Sequence, residues 1–317
     1  MTWFWLTLLA MLGWGVEDVF LKFGAERDDA DAQYKIAAWL GAIMGLSLLL
    51  LFPLSESGLP LFRLVADNKF FLLVPLAYAA TMVLSNVGLR YLEMSIMSPV
   101  ENASGAFPMV IMIVYFLATG KISSIGDELS LLDLAGTVCI IGGMIALAVV
   151  QRDLFHRGKE IRNENTRYRF GALALLFPLI FCFGDTLDTV VGGIMLEEDS
   201  IGEIDLFRLY CLMFLVVGVA SYLILVIRRK KIYHLFAVRE MPKMAAGVCE
   251  TLAYVAYIYA LAARPLLVAP LVSAYCIISI LLSRVFLKEK LRVSQYLCIA
   301  VIVAGIVLLG ISEGVAA

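Results

Sequence analysis

The sequence predicts an all-α, polytopic membrane protein with ten transmembrane helices arranged as two inverted five-helix repeats, and three observations predict it. The first is composition: of 317 residues, 62% are hydrophobic and 16% charged, with a mean hydropathy of +0.92. Soluble domains run at roughly 45–50% apolar and about 25% charged. The second is a series of ten apolar windows, each of the length that crosses a bilayer, about 20 residues. They take up about 200 residues and leave about 110 for termini and connections, so no soluble domain fits. The third is self-similarity between the two halves of the chain at an offset near 170.

Span 1 covers about 3–24 and opens on Trp3-Phe4-Trp5 with no basic residue before it, which reads as an interfacial aromatic anchor rather than a cleaved signal. Spans 2 and 3 follow at 34–56 and 69–92. Span 4, at 95–119, contains Pro99 and Pro108, which free backbone carbonyls and kink a helix so that it lines a cavity. Span 5 (129–151) carries Gly142 and Ala146 four apart, and span 10 (292–312) carries Ala300 and Ala304, a spacing that lets helix backbones approach closely. Spans 6 to 9 fall at 169–195, 205–227, 243–262 and 265–287. All six cysteines lie inside these apolar runs, which predicts small core residues rather than a disulfide framework or zinc ligands.

An even number of spans puts both termini on one side. The connections after spans 1, 3, 5, 7 and 9 hold nineteen of the 25 Lys and Arg, against four (Arg63, Lys69, Lys121 and Arg264) in the opposite set. This bias places the basic loops at 152–169 and 228–243 in the cytoplasm and both termini outside it, in a cell (inner) membrane. Net charge of −2 without a polybasic tail leaves no footprint for nucleic acid.

The self-similarity aligns Gly15 with Gly184, Pro99 with Pro270, and Phe116-Leu117 with Phe286-Leu287. Each half then has five spans, and because five is odd the second copy enters the membrane upside down. The predicted organisation is an N-terminal repeat at 1–155, a cytoplasmic basic linker at 156–168 and a C-terminal repeat at 169–317. Inverted repeats are the architecture of secondary carriers, which place their site between the repeats near the midplane and switch access by rocking.

Trp14-Gly15 early in span 1, the run Gly88-Leu89-Arg90-Tyr91-Leu92-Glu93-Met94-Ser95 leading into Pro99, and Phe286-Leu287-Lys288-Glu289-Lys290-Leu291 carry a family resemblance. On these residues the chain resembles the EamA-type branch of the drug/metabolite transporter superfamily over essentially its whole length. The resemblance implies a cavity-lining span around Trp14 and a substrate range that includes choline-like cations and amino acids. The first half has Ala118-Thr119-Gly120-Lys121 where the second has Lys288-Glu289-Lys290, so Glu289 is expected to anchor a loop at the cytoplasmic edge rather than do chemistry.

An ionised carboxylate in hydrocarbon costs at least about 2.5–3.5 kcal/mol, so acids within spans are functional candidates by default. Here they are Glu17 and Asp18 in span 1, Glu101 in span 4, Asp185 and Asp188 in span 6, and Glu250 in span 8, whereas Lys22, Arg90, Arg208 and Arg284 sit near span ends. At a rise of ~1.5 Å per residue, Glu17, Glu101 and Glu250 lie roughly 5–9 Å to the cytoplasmic side of the midplane, close enough in depth to share one cavity. These three are the proton-coupling candidates. Asp188 lies on the outer side with Arg208 and is expected either to neutralise it or to face substrate, with Asp205 competing one turn away. Glu250, Tyr254 and Tyr257 form one helical stripe, and Ser98, Glu101 and Gly105 another. The substrate-binding candidates are Trp14, Asp18, Asn86, Asn102, Asp185, Tyr254, Tyr257 and Tyr275.

Acids ringed by aromatic faces suit an organic cation, with cation–π attraction of about 0.5–2 kcal/mol per ring. Anionic substrates would need buried Lys or Arg, of which the cavity region has almost none. The sequence therefore predicts a secondary active transporter of a small organic cation or amine (quaternary ammonium, choline-like, polyamine or drug), coupled to protons, working without cofactor or metal as a monomer or homodimer. An exporter of amino acids or related zwitterions is the alternative. An intramembrane aspartyl protease is disfavoured, because Cys182 stands where that class needs glycine and no Tyr-Asp partner precedes it. The two histidines, His156 and His234, lie in the basic loops, away from any intramembrane acid–base work.

Overall fold

A computed structural model describes residues 2–25, 29–50, 58–161, 174–234, 236–288 and 291–316. The linker beyond Ile161, and Glu289 with its expected anchoring role, lie outside the described residues. The protein is all-α, with no strand among the described residues. Spans 1, 2 and 3 are Thr2–Gly24, Ala32–Leu50 and Leu73–Gly88, the last preceded by a short helix at Leu61–Asp67. Spans 5 to 8 are Leu131–Ile161, Leu176–Glu197, Glu203–Arg229 and Met241–Ala263, and span 10 is Val293–Ala316. Eight crossings are long and apolar enough to span a bilayer on their own, while Leu73–Gly88 and Phe107–Thr119 are shorter apolar helices.

Spans 4 and 9 are broken at matching places. Span 4 runs as a helix at Met94–Glu101, tightens to a 3₁₀ turn at Asn102–Gly105 and resumes at Ala106–Thr119. Span 9 runs from Pro265–Val272 through a 3₁₀ turn at Ser273–Tyr275 to Cys276–Leu282 and a π-helical turn at Ser283–Leu287. Each 3₁₀ turn begins three residues after a proline, Pro99 or Pro270, which has no N–H to give to the preceding turn. Near the first break the Cys182 thiol on span 6 donates to the carbonyls of Val100 (2.9 Å) and Glu101 (2.8 Å), supplying a partner where hydrocarbon could not. Both broken spans end on a left-handed residue, Gly120 (φ 73°) and Lys288 (φ 57°).

The spans pack in pairs: 1 with 8, 2 with 7, 3 with 6, 4 with 9 and 5 with 10. This pattern is unchanged when the first five are exchanged in order with the last five. Spans 2 and 7 cross at Gly41 and Gly218, where a methyl on Gly41 would lie 2.5 Å from the Phe214 carbonyl. Spans 5 and 10 cross at Gly136 and Gly305, where a methyl on Gly305 would lie 2.6 Å from the Gly136 carbonyl. The small residues expected to make this last contact do not make it. Gly142, Ala146, Ala300 and Ala304 are exposed on the outer faces, and a side chain at Gly142 would meet open space. Gly136 and Gly143 stand on the contact face with Gly305, and the face a small-residue spacing serves is set by the whole helix's burial pattern.

Candidate functional site

Span 1 brings Trp14, Glu17, Asp18 and Leu21 onto one buried face at i, i+3, i+4 and i+7, and leaves Trp5, Leu9 and Leu12 exposed. Span 8 buries Glu250, Tyr254 and Tyr257 in the same way and exposes Val248 and Leu252. The two stripes meet. Trp14 Nε1 donates to Glu250 Oε2 at 2.5 Å, and the Trp14 ring lies 6.0, 5.2 and 5.8 Å from those of Tyr254, Tyr257 and Tyr275. Glu17 faces Glu250, and the Oε1 atom of each has no hydrogen-bond partner. Because carboxylate oxygens only accept, two of them in contact call for a proton or a cationic N–H between them.

The other acids are cradled by hydroxyls. Ser98 and Ser279 both donate to Asp18 Oδ2, at 2.8 and 2.5 Å, so spans 1, 4 and 9 converge there. Ser85 on span 3 donates to Glu101 Oε1. Asp188 accepts the Tyr210 hydroxyl on one oxygen and the Tyr254 hydroxyl on the other, each at 2.6 Å. Tyr257 donates to Thr189 (2.9 Å), and Asn102 donates to the Ser98 carbonyl (2.9 Å) across the break in span 4.

The eleven residues singled out from the sequence all line one cavity: Glu17, Glu101, Glu250, Trp14, Asp18, Asn86, Asn102, Asp185, Tyr254, Tyr257 and Tyr275. Asp188, for which the sequence left open a pairing with Arg208 or a place facing substrate, lines it too. Arg208 instead pairs with Asp205 at 2.7 Å, both fully buried, because a partner one turn away on the same helix reaches the guanidinium without crossing the bundle. Asp188 is thereby left to the tyrosines. Sequence reasoning missed Ser85, Tyr78, Phe181, Thr189 and Ser273 in the lining, and Tyr210 and Ser279 behind it. Ser279 stands one turn from Tyr275, a spacing that could have revealed it, whereas nothing on span 7 marks Tyr210 as an Asp188 partner. No lining residue among those described is Lys, Arg or His. The space open to water is about 50 Å³, enough for a few molecules.

Both ends of the bundle are tied between the two halves of the chain. At the basic end, Arg229 holds Asp29 and Asp31 at 2.9 Å each and Lys35 reaches Glu240 at 3.9 Å across the halves, while Lys35 also pairs with Asp29 and Lys243 with Glu240 (2.6 Å) within them. Partial burial pushes the Asp29 carboxyl up, but the Lys35 hydrogen bond and the charges of Lys35 and Arg229 outweigh it and hold Asp29 below the usual carboxylate range. At the opposite end, Lys121 pairs with Glu197 at 3.2 Å, Tyr115 donates to Glu198 at 2.6 Å, and Arg264 donates to the Glu128 carbonyl at 3.1 Å.

The described residues form a multi-pass bundle of apolar helices around a buried polar cavity, the architecture of a polytopic membrane protein. Residues 173–311 match the model of the EamA-like transporter family, which lies within the drug/metabolite transporter superfamily. Among solved structures 28 chains match. One, described only as a crystal structure of protein, is 12% identical with a TM-score of 0.62, over 97% of this chain and 96% of that one, a likeness of fold alone. No curated protein matches.

Proposed function

We propose that the protein is a secondary active carrier of small organic cations in a cell (inner) membrane, with both termini outside the cytoplasm. The observation that carries this reading is the sign of the cavity: six carboxyl groups line it, from Glu17, Asp18, Glu101, Asp185, Asp188 and Glu250, with no Lys, Arg or His among the described lining residues. Trp14, Tyr254, Tyr257 and Tyr275 supply aromatic faces for the cation and its methylenes. Two inverted five-helix repeats, at 1–155 and 169–317, would rock about the cavity, opening in turn the ties at the basic end and those at the opposite end. The unchanged pairing of spans on exchange of the halves supports this division.

The coupling ion in this reading is the proton, and Glu250 with Glu17 is its carrier, Glu101 the next candidate. The paired oxygens of Glu17 and Glu250, buried without a donor, support it. A proteoliposome flux screen comparing choline, polyamines and zwitterionic amino acids, with and without a pH gradient, tests the function. Uptake of cations driven by the gradient is expected. Transport of amino acids in preference to every amine would overturn the cation reading and establish an amino-acid exporter.

A further inference from the structure

Asp18 and Asp188 lie in the first spans of the two halves, Thr2–Gly24 and Leu176–Glu197, so each half contributes one of them. Each is held by two hydroxyls, Asp18 by Ser98 and Ser279 and Asp188 by Tyr210 and Tyr254, with donors reaching across from other spans. A carboxyl that accepts two hydroxyl hydrogens is fixed in place as an acceptor. Its remaining lone pairs are open to a cation in the cavity that both acids line.

Glu250 accepts the indole N–H of Trp14, one turn from Asp18, and stands one turn from Tyr254, which is bonded to Asp188. The aromatic wall runs the same way. From Tyr275, which feels the Asp18 charge, it passes 5.8 Å to Trp14 and a further 6.0 Å to Tyr254, which is bonded to Asp188. The cavity thus has an anionic post at either end of an apolar, π-faced path. Glu17 and Glu250, at 2% and 1% exposure, line the same cavity facing one another, each with an oxygen that no N–H or O–H of the described residues reaches.

Resting on the organic-cation reading above, we propose that the preferred substrate is a linear dication, with one positive centre at Asp18, the other at Asp188, and the connecting methylenes against Trp14. A monocation can satisfy only one post and leaves the other acid desolvated without a counter-charge, which is costly in a low-dielectric site.

The test is calorimetric titration of the full-length protein in detergent micelles with putrescine and hexamethylenediamine, each against the monoamine of equal chain length, butylamine and hexylamine, and with choline. The diamines are expected to bind roughly tenfold tighter or more than their monoamine partners, the gain from a second charge-assisted hydrogen bond. Asp188→Asn should bring that ratio toward one by weakening the diamine, and Asp18→Asn should do the same. Should either variant fail to fold, the wild-type series still decides. Equal affinity for diamines and monoamines would overturn the dication proposal and leave the cation carrier standing. Absence of binding by every amine, choline included, would overturn both.

Discussion

Glu250 stands where helices from the two halves meet, accepting the indole N–H of Trp14 while facing Glu17. Replacing it by glutamine keeps the shape and the acceptor for Trp14 but removes the proton-binding group. Glu250→Gln is therefore expected to abolish proton-driven accumulation in proteoliposomes while the protein stays folded and inserted, and uphill transport at the wild-type rate would assign coupling elsewhere. Tyr257 offers its ring to Trp14 and its hydroxyl to Thr189. Tyr257→Phe should keep cation affinity, whereas Tyr257→Leu should weaken it by about 0.5–2 kcal/mol, read by calorimetric titration. Arg208 and Asp205 form a pair that is 1% exposed on both sides, and stripping one partner from a buried pair costs about 3–5 kcal/mol. Asp205→Asn should lower the thermal unfolding midpoint in detergent accordingly, while an unchanged midpoint would show that water or another group already satisfies Arg208. At this scale the acids and aromatics were legible because charges inside apolar windows are few. Their hydroxyl partners were not, since serines and tyrosines are ordinary residues of membrane helices until a neighbouring span sets them against an acid.

The helices owe their positions to two devices. Prolines at equivalent places in spans 4 and 9 break both helices beside the cavity, and the breaks meet, with Gly105 of one against Ser273 of the other. Glycines at the crossing of spans 5 and 10 bring two backbones into contact. A methyl added at Gly305 has no space and should push the helices apart, at a cost of about 1–3 kcal/mol. The same change at Gly142 meets open space and should be neutral or stabilise by about 0.5–1 kcal/mol, through the better helix propensity of alanine. Thermal unfolding of Gly305→Ala and Gly142→Ala side by side separates the two, and equal effects would refute the packing seam described here. The windows located the eight long apolar helices and the two shorter ones among the described residues, since twenty apolar residues have few other fates. Which small residues face a partner was beyond them, because spans 5 and 10 carry more than one such spacing.

Across the whole molecule, the ties at the basic end join the halves through Arg229 with Asp29 and Asp31 and through Lys35 with Glu240. Asp29 is held below its ordinary value, so its stabilising contribution is full above the unfolded aspartate pKa and is lost as pH falls through the lower folded value. Stability should therefore drop on acidification in wild type, with a smaller drop in Asp29→Asn, as followed by unfolding midpoints from neutral to acidic pH. The same slope in both would remove Asp29 from the account. Orientation makes a separate prediction: a cysteine placed at Ser200 should react with impermeant maleimide in intact cells and one at Lys231 should not. The reverse pattern would invert the topology and with it the depths assigned to the acids.

The sequence by itself determined that the chain is a bundle of membrane-crossing helices and which side chains are out of place in one, because the cost of a charge in hydrocarbon is large and local, and needs no knowledge of neighbours. It also carried the offset that relates the halves. Only the tertiary structure decided what each buried charge faces. Asp188 went to Tyr210 and Tyr254 while Arg208 took Asp205, and Glu17 and Glu250 came together from spans far apart in the chain. A partner across the bundle is chosen by how whole helices pack and rotate, which is the sum of many weak contacts that no single window of sequence contains.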